Sequence, residues 1–202
     1  MELRSEDRYL ILGLVLIASS VNPFSQYLYG TLELAKFSFD MLLVWGSGLL
    51  GIWLYKLLYN KGGKVTSAVL SFNYSTKGIL FVWIIAGSIV TYWYIPGPFD
   101  YSVINMVGRS LQIISFIVAG IIAGLGWEAM SNAWRSITLF SMFSMMAAVA
   151  EIFLEMASYY STNYYPAYSS IQLVYTSYAL FAMAAVPSTY YMVKILKDLD
   201  LF

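Results

Sequence analysis

Six stretches of the chain are apolar over a membrane-spanning length and are separated by short, more polar segments. A helix needs about 20 apolar residues to cross a hydrocarbon core of about 30 Å. The stretches that meet this length are residues 9–28, 39–59, 78–96, 106–127, 134–157 and 170–193. The pattern predicts an all-α fold: an integral membrane bundle of six transmembrane helices, forming a single domain over residues 1–202.

The first predicted span is interrupted by Asn22 and Pro23. Proline lacks a backbone donor and kinks a helix, although neighbouring helices can satisfy the freed carbonyl. Two structures therefore fit the pattern: one kinked span, or a short helix to Ser20 followed by an irregular stretch at the interface. The charged residues before this stretch also fit a signal peptide, but Val21 and Pro23 make a poor cleavage context, so we expect a retained span.

The basic residues predict the orientation of these spans, because Lys and Arg favour cytoplasmic loops. With the N-terminus inside, nine of the 11 basic residues fall on the cytoplasmic side: Arg4, Arg8, Lys56, Lys61, Lys64, Lys77, Arg135, Lys194 and Lys197. Only Lys36 and Arg109 fall outside. We therefore expect both termini in the cytoplasm of a multi-pass protein of the cell membrane. The basic loop between Lys56 and Lys77 would set this topology, with binding of anionic lipid or a partner as the alternative.

Two of the loops predicted on the outer side contain no Lys or Arg. They are residues 95–101, after the third span, and residues 158–168, after the fifth, which are rich in tyrosine. Tyrosine suits the headgroup region because its ring is apolar and its hydroxyl stays hydrated. The pattern favours an aromatic belt at the interface, with a docking surface as the alternative.

Composition supports a lipid environment and excludes several functions. Hydrophobic residues make up 60% of the chain and charged residues 11%, with no His and no Cys. Haem, copper and iron–sulfur centres lose their usual ligands, and a catalytic triad loses its base. Phosphate-binding loops and dinucleotide fingerprints are also absent from the sequence, and the net charge of zero gives no sign of a nucleic-acid partner. We expect a protein without enzymatic activity and without a cofactor. Binding of a lipid or a quinone remains open at this point.

Five ionisable residues in or beside the spans are candidates for a functional role, because charge within a membrane is costly. They are Asp40, Asp100, Arg109, Glu151 and Glu155. Glu151 and Glu155 lie four residues apart and should share one helix face. We expect Arg109 to pair with Glu151 or Asp100, either as a pin between helices or as part of a proton path or anion site.

Small residues mark where helices should approach closely. Gly120 and Gly124 are four residues apart on the fourth span, and Gly46, Gly48 and Gly51 lie on the second. Such stripes let helix backbones pack where lipid gives no hydrophobic drive between helices. We expect these two stripes at helix contacts.

Two short motifs carry a resemblance to a known family. Val21-Asn22-Pro23-Phe24, and Tyr92-Trp93-Tyr94-Ile95-Pro96 followed by Phe99-Asp100, resemble an uncharacterised archaeal family of multi-span membrane proteins. That family is similar to the CtaG-type factors associated with cytochrome oxidase assembly. The Ile-, Tyr- and Ser-rich composition also resembles that of thermoacidophilic archaea of the Sulfolobus kind. Where such families carry Trp-His-x-Pro, this chain has Tyr94 in place of the histidine, so we expect no metal delivery.

These observations leave hypotheses of different classes. The first is a non-catalytic accessory subunit of a larger membrane complex, a respiratory assembly of the terminal-oxidase type, whose partners would be the bilayer and other integral membrane subunits, some of them haem-containing. The second is an independent small transporter or proton-coupled protein that uses the carboxylates of the outer half. An oxidase assembly factor is a third, and it predicts only transient association.

Overall fold

A computed structural model describes residues 7–61, 78–158 and 165–198, and these residues form helices and short connections without a strand. The helices are α1 (Asp7–Val21), α2 (Pro23–Thr31), α3 (Glu33–Lys61), α4 (Leu80–Tyr92), α5 (Pro96–Ile104), α6 (Met106–Glu128), α7 (Asn132–Ser158) and α8 (Ser170–Asp198). The first part of α4, Leu80–Ala86, is a π-helix, and Gly87–Tyr92 continues it as an α-helix. The all-helical prediction is confirmed for this part of the chain.

Four of the described helices are long and apolar enough to cross a membrane: α3, α6, α7 and α8. The helix pairs α1–α2 and α4–α5 also meet this test, but each is bent at a short break. The described residues therefore contain four candidate spans, or up to six if each bent pair counts as one span. The four long helices match the second, fourth, fifth and sixth predicted spans.

The first bend has the cause that the sequence indicated. The axes of α1 and α2 differ by 53°, and Pro23 is the first residue of α2, where its missing N–H costs no hydrogen bond. Asn22 precedes it as the cap: its Oδ1 accepts from the Ser25 amide at 3.0 Å, and its Nδ2 donates to the Ser19 carbonyl at 2.8 Å. The chain after Ser20 is thus a second helix, α2, and the irregular stretch is not observed.

The second bend corrects the prediction of a loop at residues 95–101. The axes of α4 and α5 differ by 62°, and the chain turns at residues 93–95 before Pro96 begins α5. Proline at the first position of a helix is pre-organised for it. Residues 96–101, predicted as part of a loop, are therefore the first six residues of α5.

The chain forms two compact units. Unit 1 comprises residues 1–30 and 35–130, and unit 2 comprises residues 31–34 and 131–202. In unit 1, α6 packs against α4 and α5, and a core cluster is built on Leu43, Trp93 and Phe116.

The glycine stripes of unit 1 lie at a close contact between α3 and α6. A Cβ atom on Gly120 would lie 2.6 Å from the Val44 carbonyl oxygen and 3.0 Å from the Gly48 nitrogen. Real Cβ atoms do not approach backbone atoms this closely, so the contact requires glycine at position 120. Both stripes lie at a helix contact, as expected, and the structure shows in addition that they contact each other.

Unit 2 is built on the packing of α7 against α8. Phe143 stacks on Tyr191, and Phe153 lies edge-on to Tyr165 with ring centroids 5.2 Å apart. Gln172 ties the short segment 31–34 to α8, because its side chain donates to the Thr31 carbonyl and accepts from the Glu33 amide, each at 3.1 Å.

Some predictions concern residues outside this description. Residues 1–6 and 62–77, which include Lys64 and Lys77 of the basic loop, lie outside the described residues, as do residues 159–164 of the tyrosine-rich loop. The sidedness of the membrane and the position of the termini also stay predictions.

Candidate functional site

A buried network of charged and polar side chains lies within unit 1. Its members are Tyr29 on α2, Lys36 and Asp40 on α3, Ser102 on α5, and Arg109 and Gln112 on α6; Gln26 on α2 adds a contact at the edge. Lys36 and Gln112 are 0% exposed and Asp40 is 1% exposed. Four helices thus supply side chains to one polar cluster inside an apolar bundle.

Asp40 is the centre of this network. Its Oδ1 accepts from Arg109 Nη1 at 2.9 Å, and its Oδ2 accepts from Lys36 Nζ at 2.8 Å and from Gln112 Nε2 at 3.2 Å. Two cations and one neutral amide donor therefore surround one carboxylate, an arrangement that offsets part of the cost of burying charge.

The local sequence explains how these side chains meet. Lys36 and Asp40 are four residues apart on α3, and Arg109 and Gln112 are three apart on α6, so each pair shares one helix face. Asn105 caps α6 by accepting from the amides of Val107 and Gly108, and this cap fixes where α6 begins, one turn before Arg109.

Gln112 joins the charged centre to the helix α2. Its Oε1 accepts from Arg109 Nη1 at 2.9 Å and from the Tyr29 hydroxyl at 2.7 Å. The Tyr29 hydroxyl also lies 3.0 Å from Ser102 Oγ, which donates to the Phe99 carbonyl at 2.7 Å. The network therefore runs from α3 through α6 to α2 and α5.

Aromatic rings enclose the two cations. The Lys36 ammonium lies 4.3 Å from the ring centroid of Phe99, 5.0 Å from Tyr29 and 5.4 Å from Tyr94. The Arg109 guanidinium carbon lies 3.6 Å from the centroid of the Tyr29 ring. Cations over ring faces gain electrostatic stabilisation, about 2 kcal/mol or more where water is excluded. Tyr29 contacts both cations and also supplies a hydroxyl to Gln112.

Arg109 reaches three acceptors and keeps one nitrogen without a partner. Nε donates to Gln26 Oε1 at 3.0 Å, and Nη1 donates to Asp40 and Gln112. Arg109 is 8% exposed, and its Nη2 has no hydrogen-bond acceptor among the described residues. A shielded donor of a charged group without an acceptor is unusual and costly.

A pocket of about 420 Å³ lies beside this network. The polar residues that line it are Gln26, Tyr29, Ser102, Asn105, Arg109 and Ser110, and the apolar residues include Val21, Val103, Met106 and Ile113. All of these residues belong to unit 1. The pocket thus joins a buried guanidinium to an apolar surface between α2, α5 and α6.

The residues that the sequence predicted for a site do not form one cluster in the structure. Arg109 forms its ion pair with Asp40, a partner that the sequence argument had not chosen. Asp100 is half-buried on α5 of unit 1. Glu151 and Glu155 are both exposed on α7 of unit 2, on the same side of the helix as expected. Within the described residues, no three carboxylates come together in a way that could hold a metal.

The motif residues serve the fold and the network. Asn22 and Pro23 begin α2, and Pro96 begins α5. Trp93 is buried in the core cluster, and Tyr94, which replaces the histidine of the resembled motif, packs against Phe37 and Phe99 at the aromatic wall around Lys36.

Several members of the network were missed by sequence reasoning. Lys36 was interpreted only as an outer basic residue, and Tyr29, Gln112 and Ser102 were not singled out. The signal for Lys36 was available, since a Lys and an Asp four residues apart in an apolar helix form a natural ion pair. Gln112 gave a weaker signal of the same kind, since a polar side chain within an apolar membrane helix is costly. Tyr29 gave none, because tyrosine is common near membrane interfaces.

The fold and this network indicate the class of protein to which the chain belongs. The apolar helices indicate a multi-pass membrane protein, all-helical over the described residues, that carries a buried ion-pair network in unit 1. The model of a family described as "protein of unknown function (DUF1404)" matches residues 11–198, and the chain belongs to that family. No curated protein and no solved structure matches the chain.

Proposed function

We propose that this chain is a non-catalytic subunit of a larger membrane assembly. The observation that carries the proposal is the exposure of Glu151 and Glu155 on α7, a helix that is otherwise apolar enough to cross a membrane. Glu151 lies about 10 Å along the helix from Ser158, the last residue of α7. In an isolated protein, both carboxylates would face lipid, where charge is costly.

The surroundings of the two glutamates are typical of a helix contact. Met145, Ala148 and Ile152 are exposed on α7 at spacings of three and four residues, and Glu155 continues the series. Such spacing places these side chains along one face. A neighbouring membrane helix with a Lys, an Arg or an amide donor at matching depth would cover the apolar residues and neutralise the carboxylates.

The buried network of unit 1 supports the non-catalytic part of the proposal. Both Asp40 oxygens accept hydrogen bonds from protein donors, and the side chain is 1% exposed. A carboxylate held this way acts as a fixed counter-ion for Lys36 and Arg109. The pairs join α3 to α6, so their role in this proposal is to hold the helices in place.

The resemblance to CtaG-type assembly factors makes an archaeal respiratory complex of the terminal-oxidase type the first assembly to examine. The experiment is purification of a tagged full-length chain from its native cells in a mild detergent. Co-purification of other membrane subunits in constant ratio, with a haem absorbance spectrum in the same fractions, supports the proposal. A chain that elutes alone contradicts it, and a partner present only in trace amounts points to an assembly factor.

A second candidate function has one structural observation in its favour. The break between α1 and α2 lies next to the pocket, because Val21 and Gln26 line it. Broken helices around a midplane site are typical of secondary transporters. An independent transporter would elute as a monomer or homodimer and would move a solute across proteoliposome membranes, whereas a scaffold subunit would do neither.

A further inference from the structure

We propose that the pocket beside Arg109 binds an oxyanion, the phosphate or carboxylate headgroup of a membrane amphiphile or the same group on a small free anion. The proposal is independent of the assembly in which the chain takes part. It rests on three features of unit 1: the Arg109 nitrogen without a partner among the described residues, the end of α6 at the pocket, and the presence of both polar and apolar residues in the pocket lining.

The guanidinium provides the charge. Arg109 lines the pocket, Nε and Nη1 are held by Gln26, Asp40 and Gln112, and Nη2 has no acceptor within the described part of the chain. The held nitrogens and the Tyr29 ring fix the plane of the guanidinium. Nη2 is buried and has almost no accessible surface, so an oxyanion in the pocket reaches it only after a small movement of the pocket wall. The charge-assisted hydrogen bond formed there would be short and strong.

The second contribution comes from the start of α6. Asn105 and Met106, the cap and first residue of this 23-residue helix, both line the pocket. The N-terminus of a helix carries a partial positive charge and favours anions. The helix end and the guanidinium of Arg109, one turn further along, therefore act on the pocket together.

The apolar lining residues favour an amphiphile as the source of the anion. Val21, Val103, Met106 and Ile113 line the pocket beside the polar residues, and Met106 is strongly exposed. An acyl chain could contact these residues while its headgroup contacts Arg109. A small anion would use only the polar residues and would leave the apolar ones without a contact.

Gly30 provides a variant that blocks the pocket without touching the network. It lines the pocket, and a Cβ atom at this position would meet no atom within 4 Å. Gly30→Leu should therefore fold normally and occupy pocket space. Ala182→Leu is the matched control, since Ala182 is exposed on α8 and does not line the pocket.

The test measures the thermal unfolding midpoint of the purified full-length protein in a neutral detergent, with separate additions of inorganic phosphate, dioctanoyl phosphatidylglycerol and dioctanoyl phosphatidylcholine. We expect the anionic lipid to raise the midpoint in a saturable way, since ligands that bind only the folded state stabilise it. A shift with inorganic phosphate as well would identify the headgroup as sufficient, whereas a shift with the anionic lipid alone would identify an amphiphile as the ligand.

The variants decide whether the shift comes from this pocket. Gly30→Leu and Arg109→Gln should weaken the apparent affinity about tenfold or more, as expected for loss of a charge-assisted hydrogen bond, and Ala182→Leu should bind like the wild type. If Arg109→Gln does not fold, Gly30→Leu alone decides. The proposal is overturned if neither anion shifts the wild-type midpoint, if the zwitterionic lipid shifts it as much as the anionic one, or if Gly30→Leu keeps the full shift.

Discussion

Arg109 Nη1 and Asp40 Oδ1 are joined by a 2.9 Å hydrogen bond between residues 69 positions apart in the chain. This ion pair links α6 to α3, and Lys36 completes it from the other carboxylate oxygen. Two cations thus depend on one buried anion, and this dependence makes Asp40 the most sensitive position of the network.

Replacing Asp40 with Asn should destabilise unit 1 strongly. The substitution keeps the shape of the side chain but leaves Lys36 and Arg109 without their counter-ion, and removing one partner of a buried pair costs about 3–5 kcal/mol. The measurement is the unfolding midpoint of the purified protein in detergent. Asp198→Asn is the control, because Asp198 is exposed near the end of α8, and it should change little. Equal midpoints for Asp40→Asn and wild type would show that the pair does not hold the helices.

Two substitutions at Tyr29 should separate its hydroxyl from its ring. Tyr29→Phe removes the hydrogen bond to Gln112 but leaves that amide oxygen with its Arg109 donor, so we expect a loss of about 1 kcal/mol. Tyr29→Leu also removes the ring beneath Arg109 and beside Lys36, and should cost about 2–3 kcal/mol more. The measurement is the unfolding midpoint of both variants. Tyr175→Phe is the control, because Tyr175 is an exposed residue of α8. An equal effect of the two variants would contradict a role for the ring.

Gly120 and Gly48 should respond in opposite ways to the same added methyl group. Gly120→Ala would bring a Cβ atom against the Val44 carbonyl and the Gly48 backbone, so it should force α3 and α6 apart and destabilise the protein by about 1–3 kcal/mol. At Gly48, the nearest atom to an added Cβ is the Gly120 carbonyl oxygen at 3.7 Å, an ordinary contact. Gly48→Ala should therefore be neutral or slightly stabilising, as alanine favours the helix. Unfolding midpoints that rank the two variants in the reverse order would refute this helix contact.

The sequence predicted the long helices well because an apolar stretch of membrane length is a strong local signal. It also placed a bend at Asn22 and Pro23, since the cap and the first-position proline are local as well. It failed at residues 95–101, which were predicted as a loop although Pro96 begins α5. Proline alone does not distinguish the two cases, because the helix after it depends on packing against α6.

The candidate site was predictable only in part. Asp40 and Arg109 were singled out because charge in an apolar helix is rare, and both belong to the network. Their pairing was not predicted, because the contact between α3 and α6 depends on the helix packing that the glycine stripes permit. Lys36 was counted only as an outer basic residue and not as a site candidate, whereas the structure shows it fully buried. The rings around it come from three separate segments, and no local pattern could have brought them together.

The most direct test of the central claim compares the wild type with the double variant Glu151→Gln and Glu155→Gln, each purified from native cells in a mild detergent. Glutamine keeps the size of the side chains and removes the two charges that a partner helix would neutralise. We expect wild type to retain membrane partners in constant ratio, and the double variant, equally stable by its unfolding midpoint, to lose most of them. A wild-type chain that elutes alone, or a double variant that retains its partners in full, would contradict the account.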